Sequence, residues 1–579
     1  MLDASLCRMR ETRLRETGTR ETGMRKTGTD RMKRLCHVLA VALLLAILLP
    51  PSLTTPAQAN MLTWIREAAP TTLDPHATRD PTTLAFLRQI YEPLVQRDTR
   101  AKLSPGLARS WRRDGDGLTW RFQLRVGTTF HDGSPLMAAD VAFSLNRARA
   151  VGGAFASLLR SIETVAARGQ YVVEITTSQP DRRLPLRLSQ IGIMNSAWSR
   201  TEGLDDRWLP GDRRKAFGKA NGTGPFQLRS VSDDLSDGAV LDVADGWWAS
   251  TKRPDLPFES IQYLAIANPE QRVSAFKRRS EKLAFLQDVP ISLGADDASD
   301  TSFSLTDMPS AAVVYLGINA APKDERSDQS GDALPLGMPG VRQAIVSAID
   351  RRKLVERALR GRALATGTLV TPQSDAYPRG QDRVAARSKR MASKLLREAG
   401  FANGFKTTLH CPASGIANIK AVCASVAKDL KSVGIDVTTI FSSPRDHADA
   451  IQRGDTQIFV ARWTDASLSG DDVIENVVAP TTYRRTEAGA EELRSLIARR
   501  KSETSAERRI EEFAELSKRV ADDGTLLPLF IPTTAYATSG ALTIVPDIFD
   551  APFLAAAALT GRSADGAEPV TATGNEQAQ

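Results

Sequence analysis

The sequence predicts an α/β protein built from more than one domain. Three observations carry this. Strand-like and helix-like patterns alternate along most of the chain, as they do in an α/β fold. Residues 60–579, the part that follows a leader described below, number 520; that is too many for one core and fits two or three domains. In the sharpest local pattern, apolar Leu118, Trp120, Phe122, Leu124 and Val126 alternate with polar Thr119, Arg121, Gln123 and Arg125. A period of two marks a half-buried strand. Turn signals bracket it, Asp114-Gly115-Asp116-Gly117 before and His131-Asp132-Gly133 after. Then Val141, Ser144, Leu145 and Ala148 fall on one helical face.

The N-terminus reads as a secretory signal. Arg31, Lys33 and Arg34 precede an apolar run of twelve residues, Val38 to Leu49, and Ala57-Gln58-Ala59 follows. A basic region, a short apolar core and an A-x-A site predict cleavage after Ala59 and a periplasmic mature protein. Twelve residues are too few for a helix that spans a bilayer. Cys36 lies before the run, so no lipoprotein site is expected. Arg15 to Thr29 (RETGTRETGMRKTGT) has no apolar period and cannot bury a core. We read it as an upstream extension, with Met32 the expected start.

Of 76 Lys+Arg and 68 Asp+Glu, 10 and 5 lie in residues 1–59, which leaves 66 basic and 63 acidic residues. So near-neutral a mature chain implies no nucleic-acid partner. Its two cysteines, Cys411 and Cys423, are read as a possible disulfide, since the compartment is oxidising; two free buried thiols are the alternative.

Elements follow in order. Met61 to Ala69 reads as a strand, Leu73 to Pro81 as a polar loop and Leu84 to Tyr91 as a helix. Tyr171 to Thr177 alternates as a strand, and Asn221 to Leu228 (NGTGPFQL) is a glycine turn entering one. The latter fails as a phosphate loop: no Gly-Lys-Ser/Thr follows and Pro225 removes an amide donor. Ser260 to Ala267 and Val313 to Asn319 read as strands, Pro269 to Phe276 as a helix. Pro322 to Ala333 reads as a surface loop. Val341, Ala344, Ile345, Ala348 and Ile349, continued by Leu354, Val355, Ala358 and Leu359, predict a helix stopped by Gly361.

No catalytic constellation stands out. His76, His131, His410 and His447 sit in no recognised metal motif, and there is no G-x-S-x-G elbow. We expect no enzyme activity, no metal and no cofactor.

The stretch from Ser104 to Ala148, with SW then DG, F-x-L-R-x-G-x-x-F-H-D-G-x-P and A-D-V, resembles the extracellular solute-binding proteins of family 5, the oligopeptide and dipeptide receptors of ABC importers. LDPH at Leu73, YEPL at Tyr91, NGTGPF at Asn221, VRQA…AID at Val341, ASKLLREAGF, DLKSVGIDV and TLLPLFIPTTAYAT extend the likeness from about 61 to about 540. The resemblance implies an α/β two-lobed periplasmic-binding-protein (type II-like) fold with hinge strands and an additional inserted domain. On that template, residues 61–98, 222–314 and 526–562 build one lobe, 99–221 the inserted domain and 318–525 the second lobe. Residues 1–59 are extension plus signal, and 563–579 a disordered tail. Hinge crossings are expected at Val313–Leu316 and Leu526–Leu529.

It also implies a ligand gripped between the lobes: a small peptide or peptide-like solute passed to ABC permease subunits, with the receptor a monomer. Peptide receptors of the family carry W-x-x-D then D/E-P. Here Trp463 is followed by Asp465 two positions on, and Asp471-Asp472 replaces the Asp-Pro. Either Asp465 takes the ligand's α-amino group or the ligand lacks one; an opine, sugar, glutathione-like solute or metal chelate is then the alternative. Trp463 is the candidate platform, with a core or lobe-rim role as its alternative, and for Asp465 the alternative is an N-cap or turn residue. Thr78, Arg79 and Asp80, after LDPH, are candidates for a charged ligand end, with a solvated turn as the plainer reading. Less favoured classes are a secreted hydrolase and a chaperone-like module.

Overall fold

The computed structural model describes residues 60–559, apart from 100–101, 151–152, 205–217, 233–237, 251–255, 280–281, 295–299, 321–334, 381, 466–467, 469, 471–472, 479–490, 492–493, 497–498, 500–504 and 541. The leader, the loop 322–333, the tail and Asp471-Asp472 thus lie outside the described residues.

β1 (Met61–Arg66) is buried at every position after the first, as a strand covered on both faces must be. β2 (Val95–Arg97) and β3 (Leu103–Pro105) pair with each other. β4 (Ala108–Arg113), β5 (Thr119–Leu124), β6 (Ile162–Ala167) and β7 (Val172–Thr177) form a four-stranded antiparallel sheet of their own. In β5, buried Trp120, Phe122 and Leu124 alternate with half-buried positions. The helix Ala138–Ala148 adds Val141, Leu145 and Ala148 to the same core. The strand is shorter than its alternation suggested. Val126 is 70% exposed, because the chain turns away at Gly127, whose φ of 82° is left-handed.

The large sheet takes in β1 and eleven more strands. They are β8 (Phe226–Val231), β9 (Ala239–Val243), β10 (Ser260–Ala265), β11 (Ala284–Leu286), β12 (Phe303–Pro309), β13 (Ala312–Ile318), β14 (Ala363–Ala365), β15 (Phe405–Pro412), β16 (Ile435–Ser442), β17 (Ile458–Thr464) and β18 (Leu526–Ser539). The order is β16-β15-β17-β13-β18-β11-β1-β10-β9-β8, with β12 and β14 also on β18. β19 (Leu542–Thr543) and β20 (Ala558–Leu559) make a short antiparallel pair.

This path has two halves, each with its own core, and they are the two lobes of the fold. Around β1 the core holds Trp64, Phe86, Phe226, Tyr263, Phe285 and Tyr536. Around β13, β15 and β17 it holds Val314, Leu316, Leu409, Val422, Ile458 and Leu529. β18 belongs to both: Leu526–Phe530 pairs β13, and Thr533–Ser539 pairs β12. β12 runs into β13 through Ser310 and Ala311. The chain therefore passes between halves at Ser310-Ala311 and at Ile531–Thr533. The segments expected to cross, Val313–Leu316 and Leu526–Leu529, run side by side as neighbouring antiparallel strands. Their apolar, partly β-branched composition goes with their burial.

Two further local outcomes differ from expectation or explain a motif. Val341 to Leu359 is two helices, Pro339–Ala348 and Arg351–Leu359. Ile349 is extended, and the Asp350 carboxylate caps the second helix by accepting the Lys353 amide at 3.1 Å. In NGTGPF the glycines are needed for close approach: a Cβ on Gly222 or Gly224 would collide with the Ile90 carbonyl. The Gly224 amide donates to that carbonyl at 2.8 Å. Cys411, near the end of β15, is joined by a disulfide to Cys423 on the helix Ile419–Lys431.

Candidate functional site

In each half, parallel strands finish at a shared edge. β1 is parallel to β10 and β11, and these end at Arg66, Ala265 and Leu286. β15 is parallel to β16 and β17, which end at Pro412, Ser442 and Thr464. The carboxyl ends of parallel strands are where such sheets hold ligands, because loops there can vary without disturbing the core.

Charged residues gather at these ends. Arg66 closes β1 and is 1% exposed. Its Nε and Nη2 each donate to Asp288 at 2.8 Å, and Nη2 also donates to Asp550 at 3.2 Å. Asp288 further accepts the Glu67 amide at 3.0 Å. Gln287, buried at the end of β11, donates Nε2 to Asp550 Oδ1 at 2.6 Å and accepts the Trp64 indole N–H at 3.0 Å. Asp288 and Asp550 adopt left-handed backbones, φ 53° and 58°. Non-glycine residues held there are strained, and such strain gathers at functional sites.

The electrostatics separate the two acids. Burial would raise Asp288, but the charge and hydrogen bond of Arg66 prevail and hold it below its ordinary value. Asp550 is pushed up to about 6: burial is the main cause, Arg66 opposes it, and the like charge of Asp288 adds to it. Arg462, near the end of β17, is exposed and donates Nη1 to the Gly415 carbonyl at 3.3 Å. Surrounding protein lowers its pKa, while Asp550 and Asp288 counteract this. The cation of the second half is therefore within electrostatic reach of the carboxylates of the first.

The residues singled out from sequence have definite places. Asp465 is 1% exposed; its amide donates to the Ala311 carbonyl at 2.9 Å, and its Oδ2 accepts the Gly470 amide at 3.2 Å. Trp463 packs against the core around Tyr315 and Phe459, with its indole N–H buried and lacking an acceptor. Alternation along β17 turns Arg462 to the opposite face. Asp80 caps the helix Pro81–Leu87, accepting the amide and hydroxyl of Thr83 at 2.8 Å each. Thr78 Oγ1 accepts the Asp80 amide at 3.0 Å. Arg79 is exposed, its guanidinium 6.0 Å from the Phe155 ring centre. The second-half edge thus gathers Trp463 and Asp465, whereas the polar atoms of Thr78 and Asp80 serve a helix start.

Sequence reasoning missed Arg66, Gln287, Asp288, Arg462 and Asp550. A signal existed for the first: an arginine closing the otherwise apolar MLTWIR and a glutamine–aspartate pair just after AFL. Nothing local marks Asp550, which reaches the site through a partner 484 residues away.

A hollow of about 680 Å³ lies beside β14, lined by Arg352, Leu364, Ala365, Tyr377, Asp382, Arg383 and Val384. Its carboxylate is already engaged: Asp382 accepts the Tyr377 hydroxyl at 2.9 Å and the Gly367 amide at 2.7 Å. Among the described residues no group of three or more His, Cys, Asp or Glu could hold a metal ion. None of the described helices is long and apolar enough to cross a membrane.

A family model described as bacterial extracellular solute-binding proteins, family 5, middle, matches residues 102–484. Among curated relatives, a glutathione-binding protein GsiB of Escherichia coli O1:K1 is 30% identical over 348 residues. That stretch covers 58% of this chain and 61% of the relative, so the chain spans under two thirds of the relative's length. A dipeptide-binding protein from Pseudoalteromonas sp. SM9913, solved with Met-Leu, superimposes with a TM-score of 0.71 at 18% identity, covering 86% of this chain and 100% of the other. The binding protein AgaA of A. tumefaciens R10, solved with agropinic acid, gives 0.67 at 20%, covering 86% and 97%. Both carry the same fold.

Proposed function

This chain belongs to the bacterial extracellular solute-binding proteins of family 5, and we propose that it is the receptor of an ABC importer. On this reading it captures a small peptide or peptide-like solute between its lobes and passes it to the membrane permease. The observation that carries the reading is the meeting of two carboxyl edges, one bearing Arg66, Asp288 and Asp550 and the other Arg462. A solute lying there touches both lobes, so binding favours the closed arrangement. The relatives named above, one for glutathione and one for a dipeptide, agree with this solute class. The receptor acts as a monomer in the periplasm, after removal of its leader, without cofactor and without catalysing a reaction.

We place the first lobe at 61–98, 222–309 and 533–559, the inserted domain at 99–221 and the second lobe at 312–530. The short connections at Ser310-Ala311 and Ile531–Thr533 serve as hinges. The enclosed carboxylate of Asp465 favours one further reading, a non-peptide solute such as an opine, a sugar or a metal chelate.

Native mass spectrometry of the protein exported to a bacterial periplasm and purified gently decides between them. An added mass that fragments as a short amino-acid ladder is the expected result. A single non-peptide mass supports the second reading. Bare protein, with no saturable binding to peptides, opines or sugars afterwards, overturns the receptor assignment.

A further inference from the structure

We propose that the helical face of the second lobe docks on an anionic phospholipid surface, with the hollow beside β14 taking a headgroup phosphate. This goes beyond the receptor reading and holds whichever solute is carried. The charge distribution comes first. Residues 339–431 hold 18 Lys+Arg and 6 Asp+Glu, which leaves 48 and 57 in the rest of the mature chain. A nearly neutral receptor thus keeps a strongly cationic segment beside an acidic remainder. A field of one sign attracts surfaces of the other.

The fold gathers this charge on one side. The helices Pro339–Ala348, Arg351–Leu359, Lys389–Glu398 and Ile419–Lys431 share one core through Val341, Leu354, Leu396 and Val426. Away from that core, Arg352, Arg357, Lys389, Arg390, Arg397 and Lys428 are exposed, whereas the exposed acids of the same helices are Glu356 and Glu398.

The hollow supplies a seat. Its volume, about 680 Å³, is that of a small-molecule site. Arg352 and Arg383 line it, both exposed. Among the described residues neither guanidinium has a carboxylate or hydrogen-bond partner. Asp382, the carboxylate of the lining, is already taken by the Tyr377 hydroxyl and the Gly367 amide. Two guanidinium forks free to donate match the oxygens of a phosphate.

Apolar side chains favour a lipid over a soluble anion. Leu364, which lines the hollow, is 44% exposed, and Met391, on the helix Lys389–Glu398, is 47% exposed. Such groups among long cationic side chains suit the headgroup–acyl boundary, where Lys and Arg stems lie along apolar surface and their heads reach phosphate. A free phosphate makes no use of them.

Vesicle flotation of the exported protein tests this. The probes are phosphatidylcholine vesicles with and without phosphatidylglycerol, each at low and at high salt. Binding is expected only with phosphatidylglycerol, and salt weakens it. Arg352→Gln with Arg383→Gln weakens it about tenfold or more, the usual worth of two cations at an anionic surface. Leu364→Ser, which removes no charge, lowers the part that survives high salt. Arg109→Gln with Arg112→Gln, at exposed positions of β4 in the inserted domain, leaves binding unchanged. Thermal unfolding checks each variant. Equal binding to both vesicles, or to neither, overturns the docking. Equal losses from the two arginine pairs reduce the effect to net charge and overturn the hollow as its seat. Inorganic phosphate that binds saturably in calorimetry while vesicles do not makes the hollow a site for a soluble anion and also overturns it. Retention of poly-glutamate in place of vesicles overturns it in favour of an acidic protein partner.

Discussion

Arg147 settles what the LDPH motif does. Its Nη1 donates to Asp74 at 2.8 Å and to His76 Nδ1 at 3.1 Å. An arginine only donates, so Nδ1 is an acceptor and the ring is neutral, with Nε2–H donating to the Gly192 carbonyl at 2.8 Å. Burial, then the charge of Arg147, lowers His76 from 6.5 to about 4. The sign follows from linkage: a histidine depressed in the folded state stabilises above 6.5, and this is lost as pH falls toward 4. Its size is on the order of 3 kcal/mol. Asp74 is also held low. Burial opposes this, but Arg147 outweighs it through its hydrogen bond and its charge, so the Asp74 contribution disappears only below the usual carboxylate range. His76→Gln is therefore expected to flatten the fall in stability between pH 6.5 and 4, measured by urea unfolding; an unchanged slope would place the acid transition elsewhere. The role of LDPH was not legible from the motif, because its partner lies 73 positions away. Asp80, expected in a solvated turn with the helix starting at Leu84, instead caps a helix that starts at Pro81; an aspartate before proline was the local signal for it.

At the level of elements, periodicity was a good guide where one face is buried, as in β5, and a poor one where a chain segment is covered all round. β13 and the first half of β18 are almost wholly buried. Apolar content there carries no information about which residues bend. The break at Ile349 was likewise hidden, since apolar spacing runs on through it while the Asp350 cap restarts the helix. The glycines of NGTGPF give a quantitative test. Gly224→Ala drives a methyl into the carbonyls of Gln89 and Ile90 and is expected to cost about 1–3 kcal/mol. Gly115→Ala meets nothing within 4 Å and is expected to change stability by less than about 0.5 kcal/mol. Thermal unfolding of the pair checks the difference; equal midpoints would mean the backbone yields at Gly224.

For the whole molecule, the two halves share one strand path but separate cores, joined through Ser310-Ala311 and the middle of β18. Besides these two connections, Arg362 of the second half donates to the Pro290 and Leu293 carbonyls of the first at 3.2 and 3.1 Å and pairs with Asp307 at 3.6 Å. Arg183 of the inserted domain also meets Asp375 of the second half at 3.6 Å, but Asp375 is 70% exposed, and such pairs contribute at most about 1 kcal/mol. Small-angle scattering is expected to show a smaller radius of gyration once a tight ligand is bound. An identical radius with and without ligand would rule out closure. The Cys411–Cys423 bond gains a different meaning in this setting. It brackets the loop that presents the Gly415 carbonyl to Arg462. Protein made in a reducing cytosol, or stored in thiol buffers, would lose that bracket while keeping its fold elsewhere. Its orienting contact for the guanidinium would then drift, and ligand screens on such material would report weaker binding than screens on the oxidised protein.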